Sequence, residues 1–169
     1  MVDMLADSLS PSTSTLSSVE KKITAALTQA QASNPAAQVL LILDYPSLLL
    51  ATTPSLTSTA LSTLNLTLRS HPAVRSTLLT TPADGPFLSA TQPDANTAST
   101  PIESESAAFM VQQAHCARSV LSVRELGTGA ARDVSGVLRV TKGGKSDEEV
   151  KEWEGLYLAA RDGCVKIVE

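Results

Sequence analysis

The sequence predicts an α/β fold: a mainly parallel sheet flanked by helices, with an antiparallel hairpin extension at its C-terminal end. Three observations predict it. Up to about residue 125, segments with apolar residues at helical spacing alternate with short β-rich apolar runs, the rhythm of parallel α/β architecture. The run Gln38–Tyr45, QVLLILDY, is continuously apolar and ends in an acid, as strands buried on both faces do. From Val134 onward, short alternating runs are separated by hairpin signals, among them the Asp-Gly of Arg161-Asp162-Gly163.

Each element has its own local signal. Residues 1–16, rich in Ser and Thr, read as a flexible lead-in, and residues 17–169 as one domain. Ser17-Ser18-Val19-Glu20 has the form of a capping box, in which a serine hydroxyl and a glutamate three residues on satisfy orphan amides. Leu16, Val19, Ile23, Leu27 and Ala30 then share one helical face, and Asn34-Pro35 ends the helix. After the Gln38–Tyr45 strand, Ala60, Leu61, Leu64 and Leu68 place a helix over Thr57–Ser70, closed by His71-Pro72. Val74–Thr81 is the second strand. Pro82–Thr100 is a polar loop longer than is usual inside a domain. Thr100-Pro101-Ile102-Glu103 is the strongest helix start in the chain: a threonine to cap, a proline at the first helical position and a glutamate to complete the box. That helix runs to about Ala117, with Ile102, Phe109, Met110 and Gln113 facing one way. Ser119–Glu125 is the third strand. Val134–Thr141, Gly155–Ala160 and Cys164–Val168 form the closing meander, with Lys145–Glu152 a charged connector.

Composition narrows the functional classes. A chain of 169 residues with 43% hydrophobic residues can bury a core, and with only 3% aromatics that core is aliphatic. The net charge of −4 argues against a free-standing nucleic-acid binder. Cys116 and Cys164 make no disulfide framework and read as free buried thiols in a reducing compartment. The longest apolar stretches fall far short of the roughly 20 residues of a membrane span. Asn65-Leu66-Thr67 matches a glycosylation sequon by chance.

The segment Gly127–Gly144, GTGAARDVSGVLRVTKGG, is the most informative. Gly144-Lys145-Ser146 resembles the end of a phosphate-binding loop, but the first glycine of that motif falls on Arg139, and DEEVKEWE follows where phosphates would approach. The reading is a solvated hairpin loop. Asp44 closes its strand as metal-holding acids do in nucleotide hydrolases, yet no second carboxylate follows, so a strand-end or helix-cap role is favoured. His71 and His115 lie in no ligand cluster, and Gly127-Thr128-Gly129 lacks the third glycine of a dinucleotide fingerprint. No metal, cofactor or catalytic residue is expected. Basic residues are absent between Arg75 and Arg118, so the long loop cannot neutralise phosphates by itself. Arg139 and Lys142–Lys145 are offset by neighbouring glutamates and read as a solvated face.

Three segments together resemble the family of the sixth subunit of the Elongator complex in its fungal form. They are VLLILDYPSLLL at Val39–Leu50, HCARSVLSVREL at His115–Leu126, and the run from Gly127 whose Arg-Asp-Val-x-Gly-x-Leu-Arg spans Arg132–Arg139. The resemblance implies a RecA-like fold whose nucleotide motifs are lost. It implies a noncatalytic subunit that joins two sister RecA-like subunits in a heterohexameric ring. Such a ring binds tRNA and supports modification of the wobble uridine, in the cytoplasm and also the nucleus. It turns the loop Pro82–Thr100 toward the central pore. It also implies a preceding portion, carrying the first strand and the phosphate-loop equivalent, that this sequence lacks. An exposed sheet edge and uncovered apolar surface are therefore expected. Arg124, Gly127, Gly129, Arg132, Asp133 and Gly136 become candidate interface or turn-fixing residues, with Asp44 as the strand-end acid. The bland alternative pairs Arg132 with Asp133 across their own loop. The alternative function is a degenerate phosphate-loop ATPase using Asp44, Lys145 and Ser146.

Overall fold

A computed structural model describes residues 15–36, 38–53, 55–85, 88, 99–126, 133–144 and 149–168. In chain order they form α1 (Thr15–Ser33), β1 (Val39–Leu43), α2 (Leu48–Thr52), α3 (Ser58–Arg69), β2 (Val74–Leu79), α4 (Pro101–Cys116), β3 (Ser119–Arg124), β4 (Gly136–Lys142), β5 (Trp153–Ala159) and β6 (Val165–Val168). The fold is α/β. It holds a two-stranded parallel sheet, β1–β2, and a four-stranded antiparallel sheet in the order β3-β4-β5-β6. The chain divides into two compact units, Met1–Gln112 and Gln113–Glu169.

In the first unit a leucine-rich core builds on one side of the β1–β2 pair. Val19, Ile23 and Leu27 of α1, Leu41 and Leu43 of β1, Leu49 and Leu50 of α2, Leu61, Leu64 and Leu68 of α3 and Phe109 of α4 form one buried cluster. Helical spacing thus places Val19, Ile23 and Leu27 correctly, whereas Ala30 is exposed. The helix begins at Thr15, so Ser17 lies in its first turn rather than at its cap. Asn34-Pro35 ends it as expected. α2 carries no sequence-level expectation; the apolar run after Asp44 simply turns helical and buries Leu49 and Leu50. Thr57 caps α3 by accepting from the Ala60 amide.

Thr100 and Glu103 form the expected box at the start of α4: Thr100 N–H donates to Glu103 Oε2 at 2.7 Å, and Glu103 N–H donates to Thr100 Oγ1 at 3.3 Å. Hydrogen bonds from Thr100 hold the Glu103 carboxyl below its ordinary range. On α4 the buried residues are Ser106, Ala107 and Phe109, while Ile102 points to solvent.

Two expectations about the sheets are overturned. β1 is buried on one face only: Leu41 and Leu43 are buried, but Leu40 and Ile42 are 55% and 57% exposed. Leu78 of β2, paired with Ile42, is 51% exposed on the same side. The helices of this unit cover the opposite side. Nor is the sheet mainly parallel. Among the described residues parallel pairing is confined to β1–β2, and β3 pairs antiparallel with β4 over six positions, from Ser119↔Lys142 to Arg124↔Val137. In sequence, residues 125–135 alone separate β3 from β4, a much shorter closure than the one from β2 to β3. Local closure costs less chain entropy, and the apolar alternation of Leu121 and Val123 matches Val140 and Leu138 across the pair.

The second unit is this meander. Its last hairpin is the expected Asp-Gly turn: Gly163 has φ +84°, Gly163 N–H donates to Ala160 O, and Cys164 N–H donates to Asp162 Oδ1 at 3.0 Å. That last bond lowers the Asp162 carboxyl pKa.

Candidate functional site

The sequence points to two places, the acid that closes β1 and the glycine-rich segment before β4. At the first, parallel pairing brings Asp44 beside the end of β2. Thr80 N–H donates to Leu43 O, which extends the ladder by one step. Thr80 Oγ1 then donates to Asp44 Oδ1 at 2.5 Å and accepts from the Tyr45 amide at 2.9 Å. Tyr45 itself has φ +50°, a left-handed conformation that non-glycine residues adopt at a cost. Beyond it, buried Ser47 and Thr81 share a hydroxyl bond at 3.3 Å.

Asp44 is therefore the acceptor that anchors a strained strand-to-helix turn. Thr80 is the partner that sequence reasoning missed; only the β1–β2 register could have revealed it. Ligands in open α/β sheets bind at this end of the strands. Among the described residues, the small cavity bordered by Leu43, Pro46, Leu61 and Phe109 amounts to about 10 Å³, room for one water.

At the second place, Gly127, Gly129 and Arg132 lie outside the described residues, as do Lys145 and Ser146. The pairing of Arg132 with Asp133 falls there too. Asp133 is exposed just before β4. Gly136 opens β4 where a side chain has no room, because a Cβ would run into the Arg124 carbonyl and lie 2.9 Å from Tyr157 Cε1. Arg124, at the end of β3, reaches Glu154 Oε1 at 3.7 Å, and Arg139 reaches Glu154 Oε2 at 3.8 Å. These side chains are about half exposed, so the bridges contribute little stability. They do set two guanidinium groups against one carboxylate across β3, β4 and β5. Glu154 thus offsets Arg139 as the sequence suggests, and Glu152 Oε1 accepts from the backbone N–H of Lys142, while Lys145 lies outside the described residues.

The glycines that imitate a phosphate loop have other work. Gly143 N–H donates to Arg118 O at 2.9 Å and Gly144 N–H to Ala114 O at 3.3 Å. A phosphate cradle requires such amides to point at the ligand; these two point at carbonyls. Gly143 also presses so closely on the Ala117 backbone that a Cβ there would overlap it.

No protein-family model matches the chain, and no curated protein matches it.

The remaining expectations sort by location. No group of three or more His, Cys, Asp and Glu residues among the described residues is arranged to hold a metal. No described helix is long and apolar enough to cross a membrane. Asn65 is buried in α3, so the sequon at Asn65-Leu66-Thr67 cannot be glycosylated in the folded chain. No disulfide joins Cys116 and Cys164, but they are not buried thiols: Cys116 is half-buried and Cys164 is exposed beside the Asp-Gly turn.

Proposed function

We propose that this chain is a noncatalytic subunit of the Elongator complex. In this reading it has a RecA-like ancestry and assembles with two sister RecA-like subunits into a heterohexameric ring. The ring binds tRNA and supports modification of the wobble uridine, in the cytoplasm and the nucleus, and the chemistry belongs to another subunit. The three sequence segments that resemble the Elongator family motivate the reading. The observation that carries it furthest is the bare face of the parallel pair, where Leu40, Ile42 and Leu78 stand exposed together. Parallel sheets occur almost only with both faces covered, so this one calls for a further layer. The engagement of Asp44 by Thr80, and of the Gly143 and Gly144 amides by carbonyls, is compatible with a chain whose nucleotide motifs serve structure.

The test is co-purification from cells expressing the tagged full chain. Recovery of two RecA-like sister subunits, together with loss of both on Ile42→Glu, is the expected result. A chain that returns alone, or that binds ATP in a manner abolished by Lys145→Ala, would overturn the reading.

A further inference from the structure

Tyr45 occupies a position whose backbone the fold dictates and whose side chain it does not. The turn from β1 into α2 holds the residue from both sides. Its N–H donates to Thr80 Oγ1 at 2.9 Å, and its carbonyl accepts from the Leu48 N–H at 3.1 Å at the entry to α2. The turn needs a left-handed residue, φ +50°, and nothing in it needs a phenol. Glycine adopts this conformation freely and asparagine readily, whereas a bulky side chain is strained by it. The ring gives the fold little in exchange. Tyr45 is 41% exposed and belongs neither to the leucine core nor to the partly buried side chains around it. Among the described residues, its hydroxyl meets no hydrogen-bond partner. Strained residues that local structure over-determines cluster at functional sites.

Its neighbours indicate the chemistry of what meets it. Asp44 is exposed and gives Oδ1 to Thr80. Ile42 stands on the bare face of the parallel pair, 57% exposed. An apolar, an anionic and an aromatic side chain thus follow one another at one strand end. The unit Met1–Gln112 carries four basic residues, Lys21, Lys22, Arg69 and Arg75, against eight acidic ones. A nucleic-acid base stacked on the ring would bring its phosphates to an anionic surround with no cationic track. A protein surface has no such conflict.

We propose that Tyr45 is the residue that anchors a sister subunit on the bare face of the β1–β2 pair. The ring enters an apolar pocket of that subunit, the pocket floor accepts a hydrogen bond from the phenol, and an arginine or lysine at the pocket rim faces Asp44. The inference rests on the Elongator reading and adds to it the residue that seats the partner. Tyrosine joins a large apolar ring to a polar tip and is enriched among the side chains that dominate interfaces. A turn held at both ends presents that ring with little freedom left to lose on docking. The charge pair at the rim sets register and encounter rate more than strength. The left-handed backbone is then strain retained for assembly: a residue better suited to the turn gives a firmer chain and a poorer partner.

The tagged full chain is recovered from cells, and sister subunits per bait are measured by mass spectrometry beside the urea midpoint of each purified variant. Tyr45→Asn should raise the midpoint and yet lower sister recovery roughly thirtyfold, the scale of a hot-spot side chain. Tyr45→Phe should lower recovery about threefold, the scale of one hydrogen bond. Asp44→Asn, which keeps an acceptor for Thr80, should make recovery less sensitive to salt. Unchanged recovery with Tyr45→Asn overturns the proposal. A fall of midpoint and recovery together also overturns it, because the ring would then serve the fold. Recovery that ribonuclease abolishes would assign the ring to RNA and overturn it too. The Elongator reading is judged separately. Sisters lost on Ile42→Glu but kept on Tyr45→Asn leave that reading standing and remove this one, whereas a wild-type chain that returns alone removes both.

Discussion

The carboxylate of Glu105, on α4, accepts a hydrogen bond from the backbone N–H of Ser58, the first residue of α3. One helix thus caps another across 47 residues of sequence. That bond, more than any other cause, holds the Glu105 pKa below its ordinary 4.5. Ser58 is buried, so its amide has no ready substitute acceptor. Glu105→Ala should destabilise the chain by about 1 kcal/mol, the scale of a lost helix cap, read from urea unfolding.

The same carboxylates set a pH dependence. A depressed folded-state pKa gives stability that is present above the unfolded value and lost as pH falls through the folded one. Glu103 and Glu105 both shift downward from 4.5. Melting temperature should therefore hold above that pH and fall as acid takes the solution below it. Glu105→Gln should flatten part of that decline. An identical acid limb in the variant would show that the Ser58 bond does not contribute.

Tyr45 holds a left-handed backbone, φ +50°, and is 41% exposed. Asparagine occupies this region far more readily than tyrosine. Tyr45→Asn should raise stability by about 0.5–1 kcal/mol, part of the ~1–2 kcal/mol that the conformation costs, seen as a higher urea midpoint at unchanged slope.

Phe109 is fully buried, the largest side chain of the leucine-rich core. Phe109→Ala should cost about 3–5 kcal/mol. For a domain of ordinary stability that loss approaches the whole margin, so the variant should lack a cooperative thermal transition.

Asp44→Asn keeps an oxygen for the Thr80 hydroxyl and should be nearly neutral. Asp44→Ala removes the acceptor and should cost about 1 kcal/mol. If Asp44→Asn instead lost a defined activity while folding normally, the acid would hold more than its own turn.

How far the sequence could be read follows from the range of each interaction. Thr100-Pro101-Ile102-Glu103 declares its helix because every partner lies within four residues. The leucines of α3 and the Asp-Gly turn at 162–163 are equally local. Strand partners are not. The alternation of Ser119–Arg124 suits a parallel or an antiparallel neighbour, and only the β4 register decides between them. Gln38–Tyr45 is apolar on both sides, so its composition implies two covered faces although helices cover one. At the candidate site Thr80 was invisible for the same reason, since it acquires its role from Asp44 beyond another strand. Burial of Asn65 went unread because its polarity says nothing of where α3 packs.

Phe109 has a further consequence, for the order of events during synthesis. The strands β1 and β2 and the helices between them leave the ribosome well before α4 does. Chains fold by units as they emerge, yet the first unit lacks the buried Phe109 side chain, and the Glu105 cap for α3, until residues beyond 109 are free of the exit tunnel. The meander needs no such wait, since each of its strands pairs with the one before it. Nascent chains stalled shortly before α4 should therefore remain sensitive to protease, and chains stalled beyond it should acquire protection in the first unit before the last hairpin forms.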